Sequence, residues 1–276
     1  MPLVLVPTPI GNMGDITLRG LEALKNADAI ACEDTRRTLK LLNFYGIRKP
    51  LFSYHRHNER ARAEEIIGRL ERGESIALVS DAGTPGISDP GGVLIEKAIS
   101  RGLEIDALPG ANAVLPALLM SGISAEKFYF RGFVEGSGSE VESAMRGLSG
   151  IDATLVFYVA PHDISRFLAS AVRALGDRRA AVVREISKLH QEALRGTLCE
   201  LAASCGQRDL KGEMSLVVEG SNGEAEGGAP EPDWEKLARN MKKSGIFDKE
   251  IANALFASYG ISRNRVKTFL MREETK

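Results

Sequence analysis

The chain has 276 residues, 43% hydrophobic and 26% charged, proportions of a folded globular protein that exclude a disordered or fibrous one. Its 36 Lys/Arg and 37 Asp/Glu leave a net charge of −1, a balance that, taken whole, argues against a nucleic-acid partner. Cys32, Cys199 and Cys205 show no C-x-x-C spacing, so a disulfide framework is excluded and a reducing, cytoplasmic setting is expected.

The first apolar run, Leu3–Val6, reads as a buried strand; it is too short and too poor in basic residues for a signal peptide. No apolar run approaches the roughly 18 residues a membrane span needs, so no membrane partner is expected. Further strands are expected at Ala29–Ala31, Ile76–Val79 and Leu103–Ala107. Between and after them, helical periodicity covers Leu18–Lys25, Thr35–Asn43, Asn58–Glu71, Val93–Ser100 and Ala111–Met120. Strands alternating with helices predict an α/β domain over 1–134 with a largely parallel sheet. Residues 135–150, rich in Gly, Ser and Glu, read as a mobile connection. A second α/β domain is expected over 151–220. Its strands are Thr154–Val159, Ala180–Val183 and Met214–Val218, and its helices Asp163–Leu175 and Leu198–Ala203. Residues 221–232 have the composition of a linker.

Residues 233–276 read as three short helices punctuated by Gly245 and Gly260. This tail holds ten Lys/Arg and six Asp/Glu, a net of +4, while the rest carries −5. The overall neutrality therefore hides a basic appendage, read equally as a nucleic-acid contact or as a helical cap with a solvated basic face.

The loops that follow the strands carry the chemistry. There is no G-x-G-x-x-G after the first strand and no Gly-Lys-Ser/Thr, which removes the usual dinucleotide and P-loop fingerprints. Instead the strand runs into Pro7-Thr8-Pro9-Ile10-Gly11-Asn12-Met13-Gly14-Asp15-Ile16-Thr17. Prolines stiffen this turn, and Gly11 and Gly14 allow close backbone approach. After Ile76–Val79 come Ser80-Asp81-Ala82-Gly83-Thr84-Pro85-Gly86-Ile87-Ser88-Asp89-Pro90-Gly91-Gly92, and after Ala107 a tight Leu108-Pro109-Gly110-Ala111-Asn112-Ala113. In open α/β sheets the ligand crevice lies at such strand ends. Asp81 is placed to accept hydrogen bonds from a ligand, whereas Asp89, with Pro90 behind it, reads first as a helix cap. Cys32, ending a strand, reads as core. His55 and His57 on an extended segment point to opposite faces, so no metal is expected.

These loops resemble the tetrapyrrole-methylase superfamily, and more closely the small-subunit ribosomal RNA methyltransferase I family. The resemblance rests on Val6–Asn12 with Asp15-Ile16-Thr17, Glu33-Asp34-Thr35-Arg36, His57-Asn58-Glu59, Val79–Pro85 through Gly91, and Leu108-Pro109-Gly110. It continues through Arg131-Gly132-Phe133, Phe157-Tyr158, Pro161-His162, Arg184–Lys188 with Glu192, and Gly212-Glu213-Met214. It implies a two-domain fold with a cleft for S-adenosylmethionine (SAM) between the domains, a helical C-terminal extension and a homodimer. The implied activity is 2′-O-methylation of a cytidine in the decoding region of small-subunit rRNA or the 30S subunit. The chain departs from the family at Ala111-Asn112, at Val134–Ser137 and at Val159–Asp163, and the last two changes remove positive charge from the presumed RNA side.

The resemblance assigns Pro9, Asp81, Gly83, Thr84, Ile87, Asn112, Ala113, Tyr158, Val159 and Met214 to the SAM cleft. On the acceptor side it favours Arg36, His55, Asn58 and Glu185 as substrate-binding, with Lys188, Asp34 or Glu59 as the base. Lys188 is open to either role: a buried neutral base or a charged phosphate ligand. Asp34 is equally a helix cap, and Glu185 and Lys188 equally a local ion pair. Two other functions compete: SAM-dependent methylation of a small tetrapyrrole-type molecule, and non-catalytic RNA binding by a degenerate member.

Overall fold

The computed structural model describes residues 2–206, 208, 210–221, 234–259 and 261–274. They fall into two compact units, one before and one after residue 223.

The first unit contains two five-stranded sheets. The first sheet has strands β1 (Leu3–Leu5), β2 (Ala29–Cys32), β3 (Leu51–Ser53), β4 (Ile76–Val79) and β5 (Ile105–Ala107) in the order β3-β2-β4-β1-β5. Every neighbouring pair is parallel. The near-continuous apolar runs follow from this, because a parallel sheet is covered on both faces. Helices α1 (Leu18–Asn26) and α2 (Thr35–Phe44) cover one face, meeting Val4, Val6, Ile30 and Val79. On the other face α3 (Glu59–Glu71) and α4 (Gly92–Ser100) meet Leu3, Leu5, Ala31 and Leu78. The alternation is the period-2 of a strand buried on both sides. Within α4, Leu94 and Ala98 are buried but Ile99 is largely exposed, so the apolar face is narrower than the sequence suggests.

After α5 (Val114–Ser121) comes the second sheet: β6 (Phe128–Phe133), β7 (Thr154–Val159), β8 (Arg179–Arg184), β9 (Glu192–Thr197) and β10 (Met214–Val218), ordered β6-β7-β10-β8-β9. Only β6 and β7 are parallel; β7-β10, β10-β8 and β8-β9 are antiparallel, so this sheet is mixed. α5 packs on one face against Val156, Ala181, Val183 and Val217. The other face carries α6 (Gly138–Arg146), α7 (Ile164–Leu175) and α8 (Leu198–Cys205) over Leu155, Phe157, Val182 and Leu216.

Two expectations need correction. Residues 135–150 form no mobile connection: α6 occupies their middle. Its N-terminus is capped by the Glu140 carboxylate, which accepts from the Ser137 backbone N–H at 2.7 Å, and Val141 and Met145 are buried. The Gly/Ser/Glu composition belongs to a capping box and a solvated helix face. Likewise β6, assigned by sequence to the first domain (1–134), pairs with β7 and belongs to the second sheet. Strands β3, β6 and β9 lack a long apolar run, because each lies at a sheet edge.

The second unit contains α9 (Trp234–Lys243), α10 (Asp248–Tyr259) and α11 (Arg263–Glu274), the three helices expected of the tail. Their shared core includes Trp234, Ala238, Ile251, Leu255, Val266 and Leu270. Gly245, at φ +82°, ends the turn after α9. The expected linker 221–232, beyond Ser221, and Gly260 lie outside the described residues.

Candidate active site

Three glycine- and proline-rich loops meet at the carboxyl end of the first sheet, and they are stitched together. Thr8 and Gly83 exchange both backbone hydrogen bonds at 2.9 Å, and the Thr8 hydroxyl donates to the Ser80 carbonyl at 3.1 Å. The Thr84 hydroxyl donates to the Ala111 carbonyl at 3.1 Å. Gly110 lies against Pro7 so closely that a Cβ would stand 2.6 Å from the proline ring. Gly83 adopts φ +84°, a left-handed conformation that favours glycine. The second half closes over this shelf through its 185–191 loop. The Ser187 hydroxyl donates to the Asp15 carboxylate, and Lys188 packs where a Cβ on Gly11 would overlap its Cγ.

Between shelf and second sheet lies a cavity of about 430 Å³. That falls in the range of roughly 300–1,000 Å³ typical of small-molecule sites. Of the ten residues assigned to the cofactor by resemblance, nine line it: Asp81, Gly83, Thr84, Ile87, Asn112, Ala113, Tyr158, Val159 and Met214. Pro9 does not; its neighbour Ile10 does. Tyr158 stands edge-on to Phe130, with ring centroids 4.9 Å apart, and tilted against Phe133 at 5.4 Å. Its phenol is pushed up to about 12, first by burial and then by Asp89, against a backbone hydrogen bond from Ala113.

The wall is acidic. Glu33, Asp81, Asp89 and Glu213 line it against the single guanidinium of Arg37. Asp81 accepts the Asp34 backbone N–H at 3.0 Å through one oxygen and pairs with Arg37 at 3.2 Å through the other. Burial, then Asp81, raises the Glu33 carboxyl. Burial, then Glu33 and Asp81, pushes Asp89 up to about 6. Asp89 does not cap α4, contrary to the sequence reading; the N-cap is Gly91 at φ +149°. Cys32 is fully buried core, and burial raises its thiol.

None of the seven acceptor-side candidates lines the cavity. Asp34 is the N-cap of α2. Its carboxylate accepts the Arg36 N–H at 2.8 Å and the Arg36 guanidinium at 2.8 and 3.1 Å, and these bonds hold it well below the usual carboxylate range. Arg36 is thereby paired, although largely exposed. Asn58 closes a turn, accepting the His55 N–H at 2.8 Å and donating to the Ser53 carbonyl at 3.3 Å. That turn brings the His55 and His57 rings edge-to-face at 5.9 Å instead of on opposite faces of a strand. Glu59 opens α3, away from the cavity wall. Lys188 donates to Glu185 and Glu213, each at 2.9 Å. Burial lowers its pKa, but the two carboxylates outweigh that and hold the ammonium charged, so the neutral-base role is not supported. Glu185, at φ +52°, also accepts the Glu213 N–H at 3.1 Å. Together Glu185 and Lys188 brace the stretch from which Glu213 and Met214 reach the cavity.

A family model described as Tetrapyrrole (Corrin/Porphyrin) Methylases matches residues 2–202. The chain is 46% identical to the "Ribosomal RNA small subunit methyltransferase I" of Bacillus subtilis, over 85% of this chain and 80% of that one. It is 37% identical to the protein of that name from Synechocystis, over 96% of this chain and 95% of the relative. The Thermotoga maritima protein of the same name is 40% identical over 79% of this chain and 98% of its own. The chain belongs to the ribosomal RNA small subunit methyltransferase I family. Among solved structures, a diphthine synthase aligns with a TM-score of 0.62 at 18% identity, covering 80% of this chain and 90% of that one. A uroporphyrin-III-C-methyltransferase from Thermus thermophilus aligns at 0.57 and 18%, covering 79% and 94%. At this identity the likeness shows the shared fold alone.

In this small-subunit methyltransferase I chain, sequence reasoning missed several cavity residues: Ile10, Glu33, Arg37, Ser88, Asp89, Phe133, Ala160, Pro161, Ile186 and Glu213. Most adjoin a residue or stretch already singled out, and the signal was the motif itself. Glu33 directly follows β2, beside Asp34, and Arg37 is one residue beyond the Glu-Asp-Thr-Arg stretch. Asp89 was hidden by its own context, Asp-Pro-Gly-Gly, which imitates a helix start.

Proposed function

We propose that this protein is a SAM-dependent rRNA methyltransferase that 2′-O-methylates a cytidine in the decoding region of small-subunit rRNA. One observation carries the reading: an acidic cavity between the two α/β halves, in a chain 46% identical over 85% of its length to a protein named for this class of activity. The cavity suits SAM. Its wall carries four carboxylates against one guanidinium, a field that favours a ligand bearing a sulfonium and an ammonium. Gly83 at φ +84° brings backbone to the wall without a side chain, and Ile10, Ile87 and Ile186 supply apolar surface. Asp81, Gly83, Thr84, Ala113 and Met214 would hold the cofactor, with Tyr158 closing one side. When bound, SAM supplies an activated methyl group, and no metal is required for transfer.

The remaining work falls to the chain's own residues. Methyl transfer needs the acceptor oxygen held in line behind the methyl carbon, and such positioning accounts for a large share of the rate. Arg37, on the cavity wall, and Arg56, which donates to the carbonyl of the cavity residue Ser88 at 3.0 Å, supply positive charge where ribose phosphates would pass. The basic tail adds sequence-independent attraction. A homodimer acting in the cytoplasm on rRNA or the 30S subunit completes the reading. The test is methyl transfer from labelled SAM to small ribosomal subunits from a strain lacking the enzyme. Label in rRNA supports the proposal. Label in a tetrapyrrole precursor alone, or SAM that fails to bind by calorimetry, favours one of the competing functions.

A further inference from the structure

The carboxylates on the cavity wall differ in how far they are committed. Asp81 uses both oxygens, on the Asp34 N–H and on Arg37. Glu213 holds Lys188. Glu33 faces three opposing groups, Arg56, Arg37 and His55. Asp89 faces Glu33 at the end of β2, Asp81 and the Ser80 hydroxyl at the end of β4, Arg56 beyond β3, and the Tyr158 phenol from β7. Only Arg56 and Ser80 favour its ionised form.

The backbone is shaped to put Asp89 there. A helix start at Asp89 would turn its carboxylate to the α4 N–H groups. Instead the chain folds back on itself, with Gly91 at φ +149° and so close to Gly86 that a Cβ would lie 3.1 Å from the Gly86 nitrogen. Ser88 stands at φ +62°, an uncommon conformation for a residue with a side chain.

Strand order then separates two ends of the cavity. Asn112 and Ala113 follow β5, at one end of the order β2-β4-β1-β5; Glu33 and Arg37 follow β2, at the other. The strands they follow stand three spacings apart, about 14 Å. Asn112 and Ala113 mark the donor end and Glu33 and Arg37 the end open to an acceptor, and the loop after β4, which carries Asp81 and Asp89, lies between them.

We propose that Asp89 is the catalytic residue that takes the proton from the ribose 2′-hydroxyl during methyl transfer, an assignment that rests on the methyl-transfer reading above. The 2′-oxygen forms its bond to the methyl carbon. The carbon–sulfur bond breaks with its electron pair going to sulfur, which becomes a neutral thioether. The hydroxyl proton passes to the Asp89 carboxylate, which returns it to solvent. Burial and the neighbouring Glu33 and Asp81 make this carboxylate a stronger base than an ordinary one while leaving it ionised at neutral pH, the compromise a general base requires.

The test compares the wild-type chain with Asp89→Asn and Asp89→Glu in single-turnover methylation of unmodified small subunits between pH 5 and 9. SAM affinity is measured by calorimetry on the same samples. We expect Asp89→Asn to slow the chemical step by roughly 10²–10⁴-fold while SAM affinity changes less than threefold, and Asp89→Glu to recover part of the rate. The wild-type rate falls on the acid side with a midpoint near pH 6. Independently of activity, carbon NMR of labelled aspartates shows a carboxyl titrating near that midpoint, absent from Asp89→Asn. If Asp89→Asn keeps its rate within tenfold, or the acid limb persists in it, the role is overturned. So it is if no aspartate titrates near pH 6, a measurement that stands even where Asp89→Asn fails to fold. A wild-type chain that transfers no methyl to RNA overturns the underlying reading, and the role with it.

Discussion

Gly212 is the position where one methyl group tests the bracing of the site. It stands at φ +86°, where a side chain is strained. A Cβ there would overlap the Glu185 carboxyl and lie 2.7 Å from its Cγ. Glu185 is flexible enough to swing away, but it then gives up the Lys188 ammonium at 2.9 Å and the Glu213 N–H at 3.1 Å. In Gly212→Ala the left-handed backbone costs about 1 kcal/mol. The two charged hydrogen bonds, discounted for partial exposure, cost about 1 kcal/mol each. The sum, about 3 kcal/mol, lowers Tm by roughly 6–12 °C at 2–4 °C per kcal/mol for a unit of this size. Glu185→Ala alone loses the bonds without the strain, about 2 kcal/mol. Because both changes remove the same bonds, the double variant should resemble Gly212→Ala and leave a coupling of about 2 kcal/mol. Thermal melting by circular dichroism reads all three. A Gly212→Ala melt within 2 °C of wild type, as an order-of-magnitude bound, or additive losses in the double variant, would refute the reasoning.

Asp34→Ala should lower Tm at neutral pH yet leave the methylation rate intact. The native state stabilises the ionised carboxylate, so the difference from wild type is full above the ordinary carboxylate pKa and fades as the pH falls below it. Asp89→Asn should do the reverse. A carboxyl raised from 3.8 to about 6 destabilises the folded state by about 3 kcal/mol when ionised, so with a discount for its partial exposure the variant is more stable by about 2 kcal/mol at pH 7.5. That gain is lost as the pH falls through 6 toward 4, and melting curves across the range check both signs. Met145→Ala removes a fully buried side chain from α6 and should cost about 2–5 kcal/mol in chemical denaturation; a mobile 135–150 segment would show almost no loss. Asp81→Ala frees Arg37 and the Asp34 N–H and should weaken SAM binding at least tenfold by calorimetry, as an order-of-magnitude expectation.

Much of the fold was legible because its physics is local. The strands of the first sheet are buried on both faces and so read as apolar runs, and the loops after β1, β4 and β5 carry the glycines and prolines that turns require. Edge strands such as β9, Glu192–Thr197, bury too little to show a pattern. Helix α6 was masked by residues that serve as its cap. Part of the cavity lining was legible for the same local reason, since Gly83, Thr84, Asn112 and Ala113 sit in the loops that make it. The carboxylates Glu33, Asp89 and Glu213 of its wall were not. Which carboxylate is free depends on partners distant in sequence: Asp34 is held by Arg36 next to it, Lys188 by Glu213 across 25 residues, and Asp89 is perturbed by Glu33 from another strand. Nor does the neutral total charge describe the molecule: the acidic share includes the cavity wall, while the last 44 residues carry a net +4.

The central claim is tested most directly by mapping ribose methylation along small-subunit rRNA from cells with and without this gene. A single 2′-O-methyl cytidine in the decoding region that disappears with the gene, and returns when it is restored, is the expected result. An unchanged methylation map would contradict the account.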